Sequence, residues 1–138
     1  MTVTPASSND QQLIIAWPGH QLTVALTAPL LRLGRSAEGN DIVIDSPAVS
    51  PYHATLRLEA DGYHLLDGQS RDGQWTRSRN GLSYKGQRIE EEKLDNGEIV
   101  RIPGEAEDFV SLLYFDATVA GPAQRSQVAL AQEISIGR

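Results

Sequence analysis

Four short polar motifs, in a fixed order along the chain, carry residue types that could bind an anion. They are Gly34-Arg35, Ser50 with His53 three residues later, Ser78-Arg79-Asn80-Gly81 and Gly86-Gln87-Arg88-Ile89. Each falls at a predicted turn between short apolar runs, where a β-scaffold displays side chains instead of burying them. An arginine, a serine hydroxyl and an asparagine amide on separate loops would offer one anion a charge and hydrogen-bond donors. The sequence therefore predicts a loop-built anion site.

The elements that must position these motifs are short β-strands. Apolar and polar residues alternate over runs that end at turn signals such as Pro18-Gly19, Asp61-Gly62 and Asn96-Gly97. Helical spacing is almost absent, and the three glutamates of segment 90–94 favour a solvated loop over a helical turn. This pattern predicts an all-β, antiparallel sandwich with loops gathered at its ends. The predicted strands are 11–17, 21–26, 30–33, 41–44, 54–59, 63–66, 82–84, 87–89, 99–102 and 109–115.

The ordered motifs resemble the forkhead-associated (FHA) family over roughly residues 20 to 116. This resemblance implies two twisted sheets with the binding loops at one apex, and a phosphothreonine-binding module without catalytic residues. The residues that would contact the phosphopeptide are Arg35, Ser50, Arg79 and Asn80. Those that would shape the loops are Gly34, His53, Ser78 and Gly81.

The residue types suit these implied roles. Phosphothreonine brings a charge of about −2 and three strong acceptor oxygens, which the guanidinium of Arg35 and the hydroxyl of Ser50 could hold. A side-chain amide both donates and accepts, so Asn80 could bind the peptide backbone beside the phosphate. Arg79 stands where the family often has threonine and could supply a second guanidinium. Ser78 would brace its loop through its hydroxyl.

Ser50 and His53 also admit a nucleophile–base interpretation, as in a hydrolase. No oxyanion hole or orienting carboxylate is evident nearby in the sequence. The family resemblance instead places the histidine behind the loop, where its hydrogen bonds would hold the loop in shape. We therefore expect no enzymatic activity.

The asparagine loop has a second possible alignment with the family pattern. The segment Asp67-Gly68-Gln69-Ser70-Arg71-Asp72-Gly73 places Asp72 in the asparagine position, where its carboxylate would repel a phosphate. Alignment on the motif that begins at Ser78 avoids this repulsion and leaves an extended loop from Gly68 to Arg77. Trp75 in that loop could cover the ligand or pack inward, and the sequence does not choose between these positions.

Pro51 departs from the family pattern, which usually has a basic or polar residue here whose N–H can help to bind phosphate. Proline has no N–H to donate. Losing one charge-assisted hydrogen bond costs about 1.5–3 kcal/mol, which Arg79 could offset. The alternative function is therefore a phospho-independent docking or dimerisation domain with a degenerate phosphate site.

The composition limits other functions. The 138 residues are 40% hydrophobic and include no cysteine, which allows one domain with a core but no disulfide or thiol chemistry. A net charge of −6 disfavours nucleic acid and anionic lipid, although basic residues outnumber acidic ones five to one between residues 69 and 88. The histidines lack metal-ligand spacing, and neither GxxxxGK[ST] nor GxGxxG occurs, so no metal and no cofactor is expected.

The ends of the chain suggest a larger architecture. Residues 1–10 are predicted to be a flexible tail, 11–116 the FHA domain and 117–138 a linker. The linker ends in Ile134-Ser135-Ile136-Gly137-Arg138, which repeats the pattern of Leu31-Arg32-Leu33-Gly34-Arg35 and predicts the start of a second FHA domain. Similar spacing in bacterial FHA modules, including tandem ones before ABC-transporter ATPase regions, implies a cytoplasmic domain without membrane contact. Its partner would be a phosphothreonine-containing protein, with a Ser/Thr kinase upstream.

Overall fold

The computed structural model describes residues 11–105 and 108–117, and all regular structure in these residues is β. The predicted tail 1–10 and residues 118–138, with the predicted linker and second-domain start, lie outside them. No helix in the described part of the chain is long and apolar enough to cross a bilayer. The strands are β1 (Gln11–Trp17), β2 (His20–Ala25), β3 (Leu30–Gly34), β4 (Ile42–Val43), β5 (Ala54–Glu59), β6 (Gly62–Asp67), β7 (Gln69–Arg71), β8 (Gln74–Thr76), β9 (Leu82–Tyr84), β10 (Gln87–Ile89), β11 (Glu91–Lys93), β12 (Ile99–Ile102) and β13 (Val110–Asp116).

Two sheets pack face to face around one hydrophobic core. A six-stranded sheet has the order β10-β9-β12-β13-β1-β2, and a five-stranded sheet has the order β11-β6-β5-β3-β4. Alternate residues turn inward, such as Leu13 and Ile15 from the first sheet and Leu33 and Leu56 from the second, and all four are fully buried. Each such side chain stabilises the fold by about 1.5–3 kcal/mol. The predicted all-β sandwich is confirmed.

Strand pairing brings the motif-bearing loops to one end of the sandwich. Leu33 of β3 pairs with Ala54 of β5, and Ala54 pairs with Asp67 of β6, both antiparallel. β3 and β6 therefore end where β5 begins. At that end the N–H of Gly68 donates to the carbonyl of His53 at 2.7 Å, which closes the loops against one another.

The segment predicted as an extended loop from Gly68 to Arg77 contains a β-hairpin instead. β7 and β8 pair antiparallel, with Ser70 opposite Trp75, and the chain turns at Asp72 and Gly73 with φ of 52° and 79°. Two consecutive positive φ angles are typical of a type I′ turn, which matches the twist of the flanking strands. The Asp-Gly pair was the sequence signal for this hairpin.

The glutamate run predicted as a solvated loop also forms a strand. β11 lies at the edge of the five-stranded sheet, where Glu91 pairs with Leu66 of β6. Charged residues suit an exposed edge, because they discourage pairing with another chain. The short β4 differs from the antiparallel expectation, since it pairs parallel to β3 through Leu33 and Ile42.

Candidate functional site

His53 connects two of the loops at this end. Its side chain is fully buried, its Nδ1 lies 2.9 Å from the backbone nitrogen of Ser50, and its Nε2 lies 2.9 Å from the carbonyl oxygen of Gly81. Because Nδ1 accepts the Ser50 N–H, the ring proton belongs on Nε2, which donates to Gly81. Burial lowers the pKa of His53, which also favours the neutral ring. The histidine joins the Ser50 loop to the Asn80-Gly81 turn.

The hydroxyl of Ser50 faces another loop and not the histidine. Its Oγ accepts the backbone N–H of Arg79 at 3.0 Å, while both ring nitrogens of His53 bond to backbone groups. Ser50 and His53 therefore do not form a nucleophile–base pair. Because Oγ accepts from Arg79, the hydroxyl hydrogen of Ser50 can point to a ligand.

Arg35 lies against the same loop. Its backbone N–H donates to the carbonyl of Ser50 at 3.0 Å, and its Nε donates to the carbonyl of Val49 at 2.9 Å. No carboxylate of the described residues forms an ion pair with this exposed guanidinium. Arg35 therefore presents a fixed positive charge with nitrogens left for an anion.

Gly34 allows two loops to approach closely. A Cβ at this position would overlap the carbonyl of Pro51 and lie 2.8 Å from Nδ2 of Asn40. The φ of Gly34 is not positive, so the requirement is lack of a side chain and not a tight turn. The Pro51 carbonyl accepts hydrogen bonds from the Asn40 amide at 2.8 Å and the Ser36 N–H at 3.2 Å.

Asn80 is held by its amide nitrogen. Its Nδ2 donates to the carbonyl of Ala48 at 2.8 Å, and within the described residues no donor reaches its Oδ1. Asn80 and Arg79 line a cleft of about 360 Å³. The other lining residues are Pro47, Ala48, Pro103, Gly104, Glu105 and Asp108.

The predicted contact residues thus fall into two adjoining groups. Arg35, Ser50 and the backbone of Arg79 are joined by direct hydrogen bonds. Arg79 and Asn80 line the cleft, which neither Arg35 nor Ser50 lines.

The buried side chain of Asp67 stabilises the loop that carries Arg79 and Asn80. The side chain of Asp67 is fully buried, and its Oδ1 accepts the hydroxyl of Ser78 at 2.5 Å and the Ser78 N–H at 3.2 Å. The Ser78 hydroxyl in turn accepts the N–H of Gly81 at 2.8 Å. Gly81 has φ of 75°, which favours glycine.

Asp67 is the residue at this site that sequence reasoning missed. The signal was present, since Asp67 follows Tyr63 and Leu65 on the inward face of β6. A carboxylate on the core face of a strand needs partners to be buried. Its Oδ2 lies 3.5 Å from Nε of Arg77 and 3.6 Å from Nη2 of Arg88, so these two arginines of the basic segment are already paired.

Two other side chains of the hairpin, Trp75 and Arg71, make specific contacts with neighbouring segments. Trp75 is 46% exposed and donates from Nε1 to the carbonyl of Asp67 at 3.0 Å, so it is neither inside the core nor loose in solvent. Arg71 stacks on the ring of Tyr52, which belongs to the Ser50 loop.

Comparison with known proteins connects this geometry to a family. The sequence profile of the FHA domain matches residues 31–103. The ABC transporter ATP-binding/permease protein Rv1747 of Mycobacterium tuberculosis is 34% identical over 75% of this chain and 10% of its own length. The chain spans less than a fifth of the length of the curated relatives it matches.

Solved structures agree with this match. The Slr1951 protein of Synechocystis sp. superposes with a TM-score of 0.62 at 31% identity, over 77% of this chain and 96% of that protein. EmbR of Mycobacterium tuberculosis, solved with a low affinity phosphopeptide, gives a TM-score of 0.55 at 26% identity, over 80% of this chain and 26% of EmbR. The profile match covers more than half of the sequence, and its motifs stand on the loops that the sandwich brings together. This chain belongs to the FHA domain family.

Proposed function

We propose that this domain binds a phosphothreonine-containing segment of a partner protein at the loop end of the sandwich. FHA domains are binding modules, and a relative of similar fold, EmbR, was solved with a phosphopeptide. Recognition would depend on a fixed guanidinium, a hydroxyl and an amide carried by three adjoining loops.

The proposed contacts would use donor hydrogens and acceptor atoms that are not engaged in hydrogen bonds among the described residues. Arg35 would pair with the phosphate through the nitrogens not bonded to Val49, and Ser50 would donate its hydroxyl hydrogen to a phosphate oxygen. Arg79 would add a second guanidinium from the adjoining loop. Asn80 would accept a peptide N–H at Oδ1, because its Nδ2 is bonded to Ala48.

The observation that carries this proposal is the neutral bridge at His53. It sets the Ser50 loop at a fixed distance from the Asn80-Gly81 turn, with hydrogen bonds of 2.9 Å on both sides. Gly34 and Ser78 complete the frame, one by allowing close approach and the other by linking Asp67 to the turn. The site would therefore exist before the ligand binds, which lowers the entropic cost of binding.

Calorimetric titration against a phosphothreonine peptide library tests this function. Arg35→Ala is expected to weaken binding by about 2–4 kcal/mol, because the charge-assisted hydrogen bonds between the guanidinium and the phosphate are removed. Arg57→Ala is the matched control, since it removes the same charge at the far end of β5, where Arg57 pairs with Glu59. Binding that survives Arg35→Ala, or that persists after the peptide is dephosphorylated, would overturn the proposal.

A second function is favoured by Pro51 alone. This residue offers no N–H, and its carbonyl is already bonded to Ser36 and Asn40. A domain with a degenerate phosphate site would dock on a partner, or on a second copy, whether or not threonine is phosphorylated. Equal binding to a phosphatase-treated and an untreated partner would support this second function.

The larger context is also a proposal. The similarity to Rv1747 and the tandem pattern suggest an FHA module of a bacterial ABC transporter, on the cytoplasmic side and downstream of a Ser/Thr kinase. The encoding gene tests this idea: a second FHA motif and an ATPase region after codon 138 would support it, and an unrelated continuation would refute it.

A further inference from the structure

The β7–β8 hairpin places a cation beside the phosphate loops. The guanidinium carbon of Arg71 lies 3.4 Å from the centre of the Tyr52 ring, and Tyr52 follows Ser50 by two residues. Both side chains pack on Gly39, where a Cβ would lie 3.2 Å from the Tyr52 ring and 3.6 Å from Nη1 of Arg71. The Arg71 side chain is therefore held on the Ser50 loop and does not extend freely into solvent.

The base of the hairpin is equally well fixed. Gln69 is fully buried, and its Nε2 lies 2.9 Å from the carbonyl of Leu33, 3.1 Å from that of Ala54 and 2.8 Å from Oδ1 of Asn40. Asn40 in turn donates to the Pro51 carbonyl. This chain of hydrogen bonds sets the hairpin rigidly against the loop that carries Ser50.

Arg71 has no carboxylate partner among the residues that the structure describes. Arg77 and Arg88 of the same basic segment pair with Asp67, whereas no carboxylate of the described residues forms an ion pair with Arg71. Stacking occupies the flat face of a guanidinium and leaves the N–H groups at its edge free to donate. Arg71 is thus a positioned cation whose N–H donors have no partner among the described residues, on a chain whose net charge is −6.

We propose that Arg71 binds a second acidic group of the ligand, namely an aspartate, glutamate or phosphorylated side chain close to the phosphothreonine. This inference depends on the phosphothreonine function proposed above. Tyr52 is two positions after Ser50, a span of at most about 7 Å along the chain. An acidic side chain one or two residues from phosphothreonine in an extended peptide lies at a comparable distance. Arg71 would also offset the repulsion between such a ligand and the acidic body of the domain.

Two peptide libraries test this specificity with the full 138-residue chain. Both contain a central phosphothreonine, with aspartate or glutamate in one library, and alanine in the other, at the two positions on each side. The wild-type protein is expected to bind the acidic library about 3- to 10-fold more tightly. Arg71→Ala should remove this preference and leave the affinity for the alanine library unchanged, and Arg57→Ala should retain the preference.

Two Tyr52 variants test whether the position of the Arg71 guanidinium matters, because neither variant changes the charge of the protein. Tyr52→Phe keeps the ring under the guanidinium and should retain the acidic preference, whereas Tyr52→Leu removes the stack and should reduce it. Higher salt should reduce the preference for the acidic library, since the proposed ion pair between Arg71 and the ligand is exposed to solvent.

The outcomes separate this inference from the function on which it depends. If Arg71→Ala weakens both libraries equally, the guanidinium contacts the phosphothreonine itself, and the inference is overturned. It is also overturned if the wild type shows no acidic preference. If neither library binds the wild-type protein, the phosphothreonine function has failed, and the inference fails with it.

Discussion

The backbone N–H of Ser50 donates to Nδ1 of His53, so this buried histidine accepts on one side and donates to Gly81 on the other. A protonated ring would carry a hydrogen on both nitrogens and would turn Nδ1–H toward the Ser50 N–H. The geometry of the two loops therefore requires the neutral imidazole.

This requirement predicts a loss of stability in mild acid. Burial lowers the pKa of His53 from its ordinary value of 6.5, so below that pH the unfolded chain takes up a proton that the folded chain does not. The contribution of His53 to the free energy of unfolding is thus complete above pH 6.5 and declines as the pH falls toward the folded-state pKa. Urea unfolding at pH 7.5 and at 5.5 would measure the decline, and His53→Asn should lessen it.

His64 provides the matched control, because its pKa shifts in the opposite direction. Hydrogen bonds to Asp61 and then Glu91 raise its pKa, so its stabilisation is complete below 6.5 and is lost as the pH rises through the folded-state value. In His64→Gln the free energy of unfolding should therefore fall more steeply with decreasing pH than in the wild type. If the free energy of unfolding of His64→Gln is the same at pH 7.5 and 5.5, the role assigned to His53 is contradicted.

Gly34→Ala should strongly destabilise the fold. The new methyl group would overlap the Pro51 carbonyl, which is backbone and is bonded to Asn40, so it cannot move freely. We expect the free energy of unfolding to fall by about 2–4 kcal/mol. Gly19→Ala is the comparison: its φ of 77° is strained for alanine, but nothing lies within 4 Å, and about 1 kcal/mol is expected. Similar losses in the two variants, measured by urea unfolding, would contradict close approach as the reason for Gly34.

Asp67→Asn should weaken the turn that carries Arg79 and Asn80. The amide would keep an acceptor for Ser78 but would turn an NH₂ group toward Arg77 and Arg88, where the carboxylate oxygen now lies. We expect a loss of about 1–3 kcal/mol in the free energy of unfolding.

Two further measurements sharpen this test of Asp67. Affinity for phosphothreonine peptides should fall together with stability, because repulsion between the new NH₂ group and the two arginines would displace the side chain that fixes Ser78. Asp72→Asn, at the exposed tip of the hairpin, should change stability by less than about 0.5 kcal/mol. Wild-type affinity in a folded Asp67→Asn protein would show that the site does not depend on this brace.

The sequence predicted most of the fold where burial dictates local pattern. The strands at Ala54–Glu59, Leu82–Tyr84 and Ile99–Ile102 have the predicted bounds, because their inward positions are filled by apolar side chains. Prediction failed at two polar segments, the β7–β8 hairpin and β11. Glu91–Lys93 becomes a strand only because β6 offers an open edge, and this pairing spans 25 residues or more and leaves no local signal.

The site shows the same limit. The positions of Arg35, Ser50 and Asn80 on loops followed from turn signals, but the hydrogen bonds that join those loops depend on tertiary packing. The partnership of Asp67 with Ser78 crosses the whole hairpin, so no local pattern could reveal it. The hairpin itself was obscured because every residue from Ser70 to Arg77 is exposed and provides no apolar alternation.

Pro51→Ala should increase the affinity for phosphothreonine. The substitution restores a backbone N–H beside Ser50, and one added charge-assisted hydrogen bond would tighten binding by about 10- to 150-fold. Pro51 is exposed and its carbonyl bonds to Ser36 and Asn40 do not require the ring, so the loop should keep its shape. Greater freedom of the unfolded chain should lower stability by about 0.4–1 kcal/mol.

Calorimetry on the wild type, Pro51→Ala and Pro29→Ala would measure this effect. Pro29 is also exposed but lies just before β3, at the opposite end of the sandwich, so its replacement should leave affinity unchanged. A gain confined to Pro51→Ala would identify the missing N–H as the factor that limits phosphate binding. Equal affinity in all three proteins would mean that the anion is held without a donor at this position, because Arg35, Ser50 and the neighbouring cations already saturate its oxygens.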